Sequence, residues 1–379
     1  MKEIGIYLHI PFCKQKCAYC DFLSFAGKEN KMTEYIECLQ KEIEHVDIKG
    51  KKVTTIYIGG GTPSYLNLSL TEKLLFTIKK HFNPESKTDI EWTIEINPGT
   101  ITKEKLELYK KVGINRLSIG LQETDNKLLQ EIGRIHTYQD FKKAYQLAEE
   151  ANFQNINVDL MIGLPEQTIA NIEKSLDSLF TLNNVKHISL YSLIVEEGTL
   201  MEKKIQKGEL ILPSEELERE MYWKAKKELE KNGFYHYEIS NFAKPGYEAK
   251  HNLNCWKQKE YIGLGLGAHS YFHNMRYSNT PDLKEYIEKI QHQDFNITEV
   301  HEIQIKEDQE KEFMLLGLRM LDGVSIQNFK SKFVENPLYL FRKELKKLTE
   351  EELIEITGDH IRLTDKGLDL ANLVWEEFV

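Results

Sequence analysis

The chain has 379 residues, a formal net charge of −10 and 41% hydrophobic residues, which predicts an ordinary folded protein with one large domain and a smaller one. The acidic balance argues against a general nucleic-acid binder, which would be basic. Because the sequence has only five cysteines, no apolar run of about 18 residues and no recognisable signal peptide, neither a membrane span nor a secreted disulfide framework is expected, and the expected location is the cytoplasm.

Along the first half of the chain, short β-rich runs alternate with longer segments in which apolar residues recur every three or four positions. The predicted strands cover 4–10, 53–61, 90–96, 114–122, 155–164 and 187–195. The predicted helices between them cover 33–48, 69–82, 102–112, 138–151 and 168–182. This alternation predicts βα units around a parallel sheet, either an open doubly wound sheet or a full or partial barrel.

Unusual residues cluster where these strands end. Three cysteines follow the first strand, and "GGGTP" (59–63) follows the second. The third strand ends in Glu95, the fourth ends in Gln122, and the fifth carries Asp159. In both sheet architectures the ligand lies at the carboxyl ends of the strands. The sequence therefore predicts one ligand site to which several strands contribute.

The last quarter of the chain has a different pattern. Its predicted elements are helices at 308–321, 325–333 and 338–349, two short runs around a Gly-Asp turn at 353–364, and a final helix at 365–378. Three helices and a hairpin predict a small winged-helix-like domain. We expect a large domain at 1–285 and the small one at 286–379. Such domains often bind DNA, but the acidic charge makes that role the less favoured one here.

The segment "CKQKCAYC" places Cys13, Cys17 and Cys20 within eight positions. Thiolates select zinc, copper or iron–sulfur clusters, and three unrelated buried cysteines would rarely crowd one loop. A structural zinc site needs four ligands, of which His9 could be the fourth. A cubane cluster normally takes four cysteines, so three would leave one iron open, as a reactive site requires.

The C-x3-C-x2-C spacing after a first strand, with Tyr19 before the last cysteine, resembles the radical S-adenosylmethionine superfamily. The resemblance implies a full or partial (β/α) barrel and a [4Fe–4S] cluster on Cys13, Cys17 and Cys20. It also implies that S-adenosylmethionine chelates the open iron through its amino and carboxylate groups. In that family the cluster passes an electron to the sulfonium, and a 5′-deoxyadenosyl radical results.

Further motifs follow in the order seen in the oxygen-independent coproporphyrinogen oxidase group, namely "YLHIPFC", "GGGTPS", "IEINPGT", "RLSIGLQ", "IGRIH", "DLMIGLPEQT" and "HNLN". The oxidases of that group carry another cysteine where Phe22 stands, and an extension ahead of the first strand, which begins here by residue 4. In both respects the chain resembles HemW-type heme chaperones instead.

The HemW-type resemblance implies that the chain binds heme and passes it to an apo-hemoprotein acceptor. It leaves a peripheral association with a membrane open and implies no nucleic-acid partner. The alternatives are a true coproporphyrinogen III dehydrogenase or another radical enzyme. Phe22 argues against the first of these, because a phenylalanine can neither ligate metal nor relay a proton as a cysteine could.

The resemblance also implies a set of residues that hold S-adenosylmethionine. These residues are Tyr7, Tyr19, Gly59, Gly60, Gly61, Thr62, Glu95, Gln122, Arg134 and Asp159. Each class has an ordinary structural alternative. A strand tyrosine is usually part of the core, a triple glycine can be only a turn, a buried carboxylate can pair with Lys or Arg, and Arg134 could form a surface ion pair.

The segment "HNLNCW" (251–256) resembles the His-Asn-x-x-Tyr-Trp pattern of the HemW-type proteins, in which His251 is the proposed heme ligand. Histidine is a common axial ligand of heme iron, although most histidines only form hydrogen bonds. Cys255 replaces the tyrosine and is itself an alternative thiolate ligand. The remaining rival ligands are His9, His236 and His269. We interpret "GLGLGAH" (263–269) as a close-packed strand end rather than a dinucleotide site, and Cys38 as a small buried hydrophobe.

Overall fold

The computed structural model describes residues 2–82 and 90–379. Six parallel strands form the first half of the sheet, β1 (Lys2–Ile10), β2 (Lys51–Gly60), β3 (Glu91–Ile96), β4 (Arg116–Gln122), β5 (Ile156–Ile162) and β6 (Val185–Ser192). Each strand pairs in parallel with the next one along the chain. The six predicted strands are therefore confirmed, within a few residues at their ends.

Helices connect these strands, as the apolar periodicity predicted. They are α1 (Met32–His45), α2 (Leu68–Phe82), α3 (Lys103–Val112), α4 (Asn126–Glu131), α5 (Tyr138–Glu150) and α6 (Ile169–Phe180). Thr102, Thr137 and Thr168 cap the amino ends of α3, α5 and α6 with side-chain hydrogen bonds, which satisfies backbone donors that a helix leaves free. Only the short α4 was not predicted.

A second group of short elements follows β6. It comprises α7 (Leu200–Gln206), α8 (Glu215–Lys231), β7 (Tyr235–Glu238), β8 (Asn241–Ala243), α9 (Lys250–Trp256), β9 (Tyr261–Leu264), β10 (His269–Phe272), β11 (Met275–Asn279), α10 (Leu283–Gln291) and β12 (Thr298–Ile303). These strands extend both edges of one sheet of twelve, in the order β12-β11-β10-β9-β1-β2-β3-β4-β5-β6-β8-β7. The result is a partial barrel in an α/β fold.

The segment between residues 286 and 303 packs with the barrel. Tyr286, Ile287 and Ile290 of α10 belong to the large hydrophobic core that β1 to β6 share, and β12 pairs with β11. Packing thus extends the first unit past the boundary expected at 285–286. We propose that the two domains meet between β12 and the helix that begins at Lys306.

The small C-terminal domain contains α11 (Lys306–Gly317), β13 (Val324–Ser325), α12 (Ile326–Phe333), α13 (Pro337–Leu340), α14 (Arg342–Glu350), β14 (Ile354–Thr357), β15 (His360–Leu363), α15 (Asp365–Asp369) and α16 (Ala371–Glu376). Its three strands pair in the order β13-β15-β14, and it has a hydrophobic core of its own that includes Phe329, Phe341 and Phe378. Helices beside a β14–β15 hairpin form the winged-helix-like arrangement that the sequence predicted.

Side chains that point into the barrel are unusually polar. On β2 they include Thr55 and Tyr57, and on β5 they include Asn157 and Asp159, because alternate residues of a strand face the same side. Buried polar groups need hydrogen-bond partners, so these side chains form networks with each other.

Within residues 2–82 and 90–379, no helix has both the length and the apolar character that crossing a bilayer requires.

Candidate functional site

Backbone hydrogen bonds hold the cysteine loop, residues 11–25, against the barrel. The N–H of Cys13 donates to the carbonyl of Phe25 at 2.9 Å, which closes the loop on itself. The N–H of Ala18 donates to the carbonyl of Ile132 at 3.0 Å, and the N–H of Met201 donates to the carbonyl of Ala18 at 2.8 Å. The protein backbone therefore fixes the loop that carries the three thiols.

The three cysteines of this loop line one cavity of about 430 Å³ at the carboxyl ends of the strands. Most of the other residues that the resemblance implied line the same cavity, namely Tyr19, Gly60, Gly61, Thr62, Glu95, Gln122, Arg134 and Asp159. Tyr7, Gly59 and His251 are not among its lining residues. The structure thus brings together residues from five successive strand ends, as the sequence pattern predicted.

Two half-buried carboxylates form part of the wall. Glu95 accepts hydrogen bonds from the hydroxyl of Tyr57 at 2.8 Å and from the N–H of Gly60 at 3.1 Å. Asp159 accepts one from the amide of Asn157 at 2.8 Å. Burial raises the pKa of Glu95 to about 7 and raises that of Asp159 as well. In the described part of the chain neither carboxylate forms an ion pair with Lys or Arg, so both can accept further hydrogen bonds from a ligand.

Arg134 lies beside the cysteine loop. Its guanidinium donates to the carbonyl of Gly120 at 2.8 Å and to the sulfur of Cys17 at 3.5 Å, while its Nε is buried and has no partner. The surface ion pair considered for Arg134 is absent from the described residues.

Gln122 adopts a positive φ of 70° at a bulge in the pairing of β4 with β5. Such backbone strain in a non-glycine residue often accompanies functional sites.

The glycines at the carboxyl end of β2 make room for the cysteine loop. Gly60 has a φ of 110°, and a Cβ there would lie 2.5 Å from the ring of His9. A Cβ on Gly61 would lie 3.0 Å from the sulfur of Cys13, to which the Thr62 hydroxyl donates at 3.5 Å. Only glycine permits so close an approach. The turn formed by these glycines is therefore also part of the wall of the cavity.

Three predicted or rival residues support the cavity from behind. The hydroxyl of Tyr7 lies 3.0 Å from Nδ1 of His9 in a hydrogen bond, and Nε2 of His9 bonds to the carbonyl of Leu23 at 2.8 Å. A Cβ on Gly59 would lie 2.8 Å from a carboxylate oxygen of Glu95. His9 thus anchors the cysteine loop and is not one of the residues that line the cavity, which weakens its candidacy as a fourth metal ligand.

Several lining residues were not identified from the sequence, in particular Tyr57, Ser118, Met161 and Tyr191. The signal that could have found them is strand alternation. Met161 lies two residues after Asp159 on β5, and Ser118 lies four residues before Gln122 on β4, so even spacing along each strand could have indicated both. Tyr57 carries the additional information that a buried hydroxyl needs a partner, which Glu95 supplies.

The donor set fits an iron–sulfur cluster with S-adenosylmethionine better than it fits a single ion. Within residues 2–82 and 90–379, no three His, Cys, Asp or Glu side chains are grouped to hold one metal ion. This disfavours zinc, whose ligands all meet at about 2.0–2.3 Å from one centre. A cubane spreads its thiolate ligands over separate corners, so three cysteines around one cavity suit it. The orphaned Nε of Arg134 and the two carboxylates could then bind the charged ends of S-adenosylmethionine.

His251 lies in α9, at the opposite end of the barrel interior. The residue is 7% exposed, its Nδ1 lies 2.9 Å from the hydroxyl of Thr55, and its ring lies 5.3 Å from the ring of Tyr57. Burial, with a smaller contribution from the charge of Arg116, lowers the pKa of His251 to about 4. The imidazole is therefore neutral at physiological pH, as a metal ligand must be, but it is enclosed.

The rival heme ligands have different surroundings. Cys255 is half-buried, and burial raises the pKa of its thiol to about 12, which opposes a thiolate at neutral pH. His236 is buried and lies 3.2 Å from the carbonyl of Ile239. His269 is exposed and stacks on His301, with ring centroids 5.6 Å apart. The interpretation of Cys38 as a small hydrophobe agrees with its 1% exposure within the core.

Comparison with known proteins gives two family matches. Residues 7–179 match the model of the radical SAM superfamily, and residues 306–370 match that of the HemN C-terminal domain. Among curated relatives, the heme chaperone HemW of Bacillus subtilis is 40% identical over 375 residues, covering 98% of both chains. The heme chaperone HemW of Lactococcus lactis is 37% identical and covers all of this chain and 98% of its own.

Among solved structures, the coproporphyrinogen III oxidase HemN from Escherichia coli, a radical SAM enzyme, matches with a TM-score of 0.87. The match covers all of this chain and 90% of the other, at 23% sequence identity. Identity at this level supports a shared fold and carries no information about a shared reaction. The partial barrel with its small C-terminal domain is thus a known architecture.

Proposed function

The chain belongs to the radical SAM superfamily and, within it, to the family of HemW heme chaperones, and we propose on this premise that it binds heme and transfers it to an apo-hemoprotein acceptor. The observation that carries the proposal is the similarity to heme chaperones over the full length of the chain, 40% identity across 98% of both sequences in one case. The resemblance leaves a peripheral contact with a membrane open, and the proposal does not depend on such a contact.

The cofactor part of the proposal rests on the cavity. Cys13, Cys17 and Cys20 would hold a [4Fe–4S] cluster, and Arg134 with Asp159 and Glu95 would hold S-adenosylmethionine at the iron that lacks a cysteine. When bound, this pair supplies one-electron chemistry at the sulfonium. The residues of the chain orient the cofactor, keep its charged ends paired and shield the sulfurs behind the backbone of the cysteine loop.

The heme part of the proposal concerns His251. A neutral imidazole suits heme iron, and His251 is the histidine that α9 places in the family motif. Since its ring is enclosed and bonded to Thr55, ligation requires α9 to move outward. The raised pKa of Cys255 favours the histidine over the thiolate.

An anaerobic experiment tests both parts together. Protein reconstituted with iron and sulfide is titrated with heme, and the Soret band is followed for wild type, His251→Ala and the exposed control His269→Ala. We expect stoichiometric binding by wild type and by the control, a changed spectrum for His251→Ala, and transfer from wild type to an apo-hemoprotein. A wild-type spectrum in His251→Ala would remove this ligand, and the absence of heme binding by wild type would overturn the function.

A radical enzyme acting on an organic substrate is the second candidate, and one observation favours it. At the mouth of the cavity Phe22 and Ile194 are 63% and 67% exposed, which leaves an apolar rim above the cofactor residues. The same reconstituted protein, given reductant, S-adenosylmethionine and coproporphyrinogen III, separates the two functions. Sustained formation of protoporphyrinogen would establish the enzyme, whereas we expect none.

A further inference from the structure

The position of His251 poses a problem of access. Its side chain is 7% exposed, and its imidazole lies between Thr55 and the ring of Tyr57 inside the barrel. Heme iron is reached along the normal of a wide flat macrocycle, which the filled interior does not admit. The contacts that hold α9 in place therefore control whether His251 can bind heme.

The amino end of α9 is held by the barrel. The carboxylate of Glu91 accepts the backbone N–H groups of Lys250 and His251, each at 3.0 Å. The N–H of Ala249 donates to the hydroxyl of Tyr237 at 3.2 Å. A helix of seven residues is marginal by itself, so its position depends on such tertiary contacts at both ends.

The carboxyl end of α9 is held by the C-terminal domain. The guanidinium carbon of Arg319 lies 4.3 Å from the ring centroid of Trp256, the last residue of α9, and 4.9 Å from that of Trp375 in α16. Just beyond α9, the amide of Gln258 donates to a carboxylate oxygen of Glu312 at 2.7 Å. We name the stack of Trp256, Arg319 and Trp375 the clasp.

The clasp is held by stacking rather than by saturated hydrogen bonds. Within the part of the chain that the structure describes, Arg319 has no carboxylate within ion-pair distance, although the buried carboxylate of Glu238 attracts its charge, and its Nε is buried without a partner. The indole Nε1 atoms of Trp256 and Trp375 are buried and unpartnered too. Unsatisfied buried donors offset part of what the cation–π contacts contribute. The stack itself can therefore open without breaking a hydrogen bond, whereas release of the segment just beyond α9 must also break the bonds of Gln258 to Glu312 and Lys332.

We propose that the C-terminal domain governs the access of heme to His251 through the clasp, with Arg319 as the positioning residue that keeps α9 closed. Opening the clasp together with the adjacent Gln258–Glu312 bond frees the carboxyl end of α9, so that the helix can swing away from the barrel and expose the imidazole. This inference rests on the proposed heme function, but its mechanical part concerns the protein without heme.

Hydrogen exchange tests the mechanical part. In Arg319→Met, which keeps the length of the side chain and removes its charge, we expect the backbone amides of residues 249–258 to exchange about fivefold faster, as loss of a cation–π contact implies. Trp375→Leu should act in the same direction. Arg319→Lys, which restores a cation, should return exchange toward the wild-type rate, and the exposed Arg342→Met is the matched control.

Heme association measured by stopped flow tests the consequence. We expect Arg319→Met to bind heme faster than wild type, and Arg319→Met combined with His251→Ala to lose that gain. Unchanged exchange at residues 249–258 in both clasp variants, or slower heme association, would overturn the inference. If the wild-type protein binds no heme, the proposed function fails, while the exchange experiment still decides whether the clasp holds α9. Near-ultraviolet circular dichroism verifies that each variant is folded.

Discussion

At the carboxyl ends of the barrel strands, polar side chains surround an open cavity, whereas at the other end of the same interior the space is filled by His251 and its partners. Among the residues that the structure describes, Glu95 and Asp159 accept hydrogen bonds from neutral groups alone and keep free lone pairs. His251 instead lies against Thr55 and Tyr57. One region is ready to receive a ligand, and the other must first open.

The two regions share one residue. Tyr57 donates its hydroxyl to Glu95 on the cavity side, at 2.8 Å, and its ring lies 5.3 Å from that of His251 on the other side. Buried and close-packed side chains transmit displacements because interiors have little free volume. A ligand at Glu95 and a movement of α9 would therefore both act on the same tyrosine.

The largest expected effect concerns the open region. Replacing Cys13, Cys17 or Cys20 by alanine should abolish the cluster, because each cysteine would supply the sole protein ligand of one iron. The measurement is iron and sulfide content after anaerobic reconstitution. Cys38→Ala is the matched control, since Cys38 is buried in the core within α1 and does not line the cavity. Full iron content in a Cys17→Ala protein would contradict the assignment of the cavity.

The same contrast separates what the sequence predicted from what it did not. The strand ends were predictable because short apolar, β-rich runs locate strands, and parallel strands bring their carboxyl ends to one edge. The glycines at the carboxyl end of β2 were found for the same reason, although their contacts with His9 and Cys13 were not. These contacts join segments about 50 residues apart, and a single sequence carries no record of them.

In the closed region, the sequence motif identified His251 but did not predict that its side chain is buried. The letters of "HNLNCW" gave His251, but its burial follows from Thr55, Glu91 and Arg319, which lie far away along the chain. The strands β7, β8 and β10 to β12 were missed because they are only three to six residues long, too short for a periodic pattern. The end of β9 agrees with the interpretation of residues 263–269 as a close-packed strand end. The role of these strands is tertiary, since β9 to β12 extend the sheet beyond β1.

A second prediction uses the enclosure of His251. Because burial lowers its pKa from 6.5 to about 4, the unfolded chain binds a proton between these values and the folded protein does not. The free energy of unfolding therefore falls as the pH drops from about 6.5 to 4, by about 3 kcal/mol from this residue. In His251→Gln that part of the acid sensitivity should be missing.

Urea unfolding of the metal-free protein at pH 7 and pH 4 measures this difference. The other buried histidines, such as His136 and His236, have lowered pKa values as well, so both proteins lose stability in acid. The comparison isolates the contribution of His251, and His360→Gln, at an exposed position of β15, serves as the control. Equal acid sensitivity of wild type and His251→Gln would mean that α9 leaves the barrel readily, and the contrast between the two regions would disappear.

The smallest expected effect, in the open region, is a pH dependence of S-adenosylmethionine binding. Burial raises the pKa of Glu95 from 4.5 to about 7, so the carboxyl is mostly protonated at pH 6 and mostly ionised at pH 8. An ionised carboxylate attracts the cationic cofactor, and affinity should rise about tenfold over this range if only the ionised form binds well. Glu95→Gln, which keeps the shape and removes the titration, should show a flatter profile.

Equilibrium dialysis with the cluster-loaded protein, performed anaerobically, measures the profile. The amino group of S-adenosylmethionine titrates equally for every variant and cancels in the comparison, and the exposed Glu150→Gln is the matched control. The affinity should rise with pH rather than fall, because a carboxyl with a raised pKa gains its charge only as the pH passes through about 7. An identical slope in wild type and Glu95→Gln would show that Glu95 does not contact the cofactor, and the open cavity would then need another residue to balance the cofactor's positive charge.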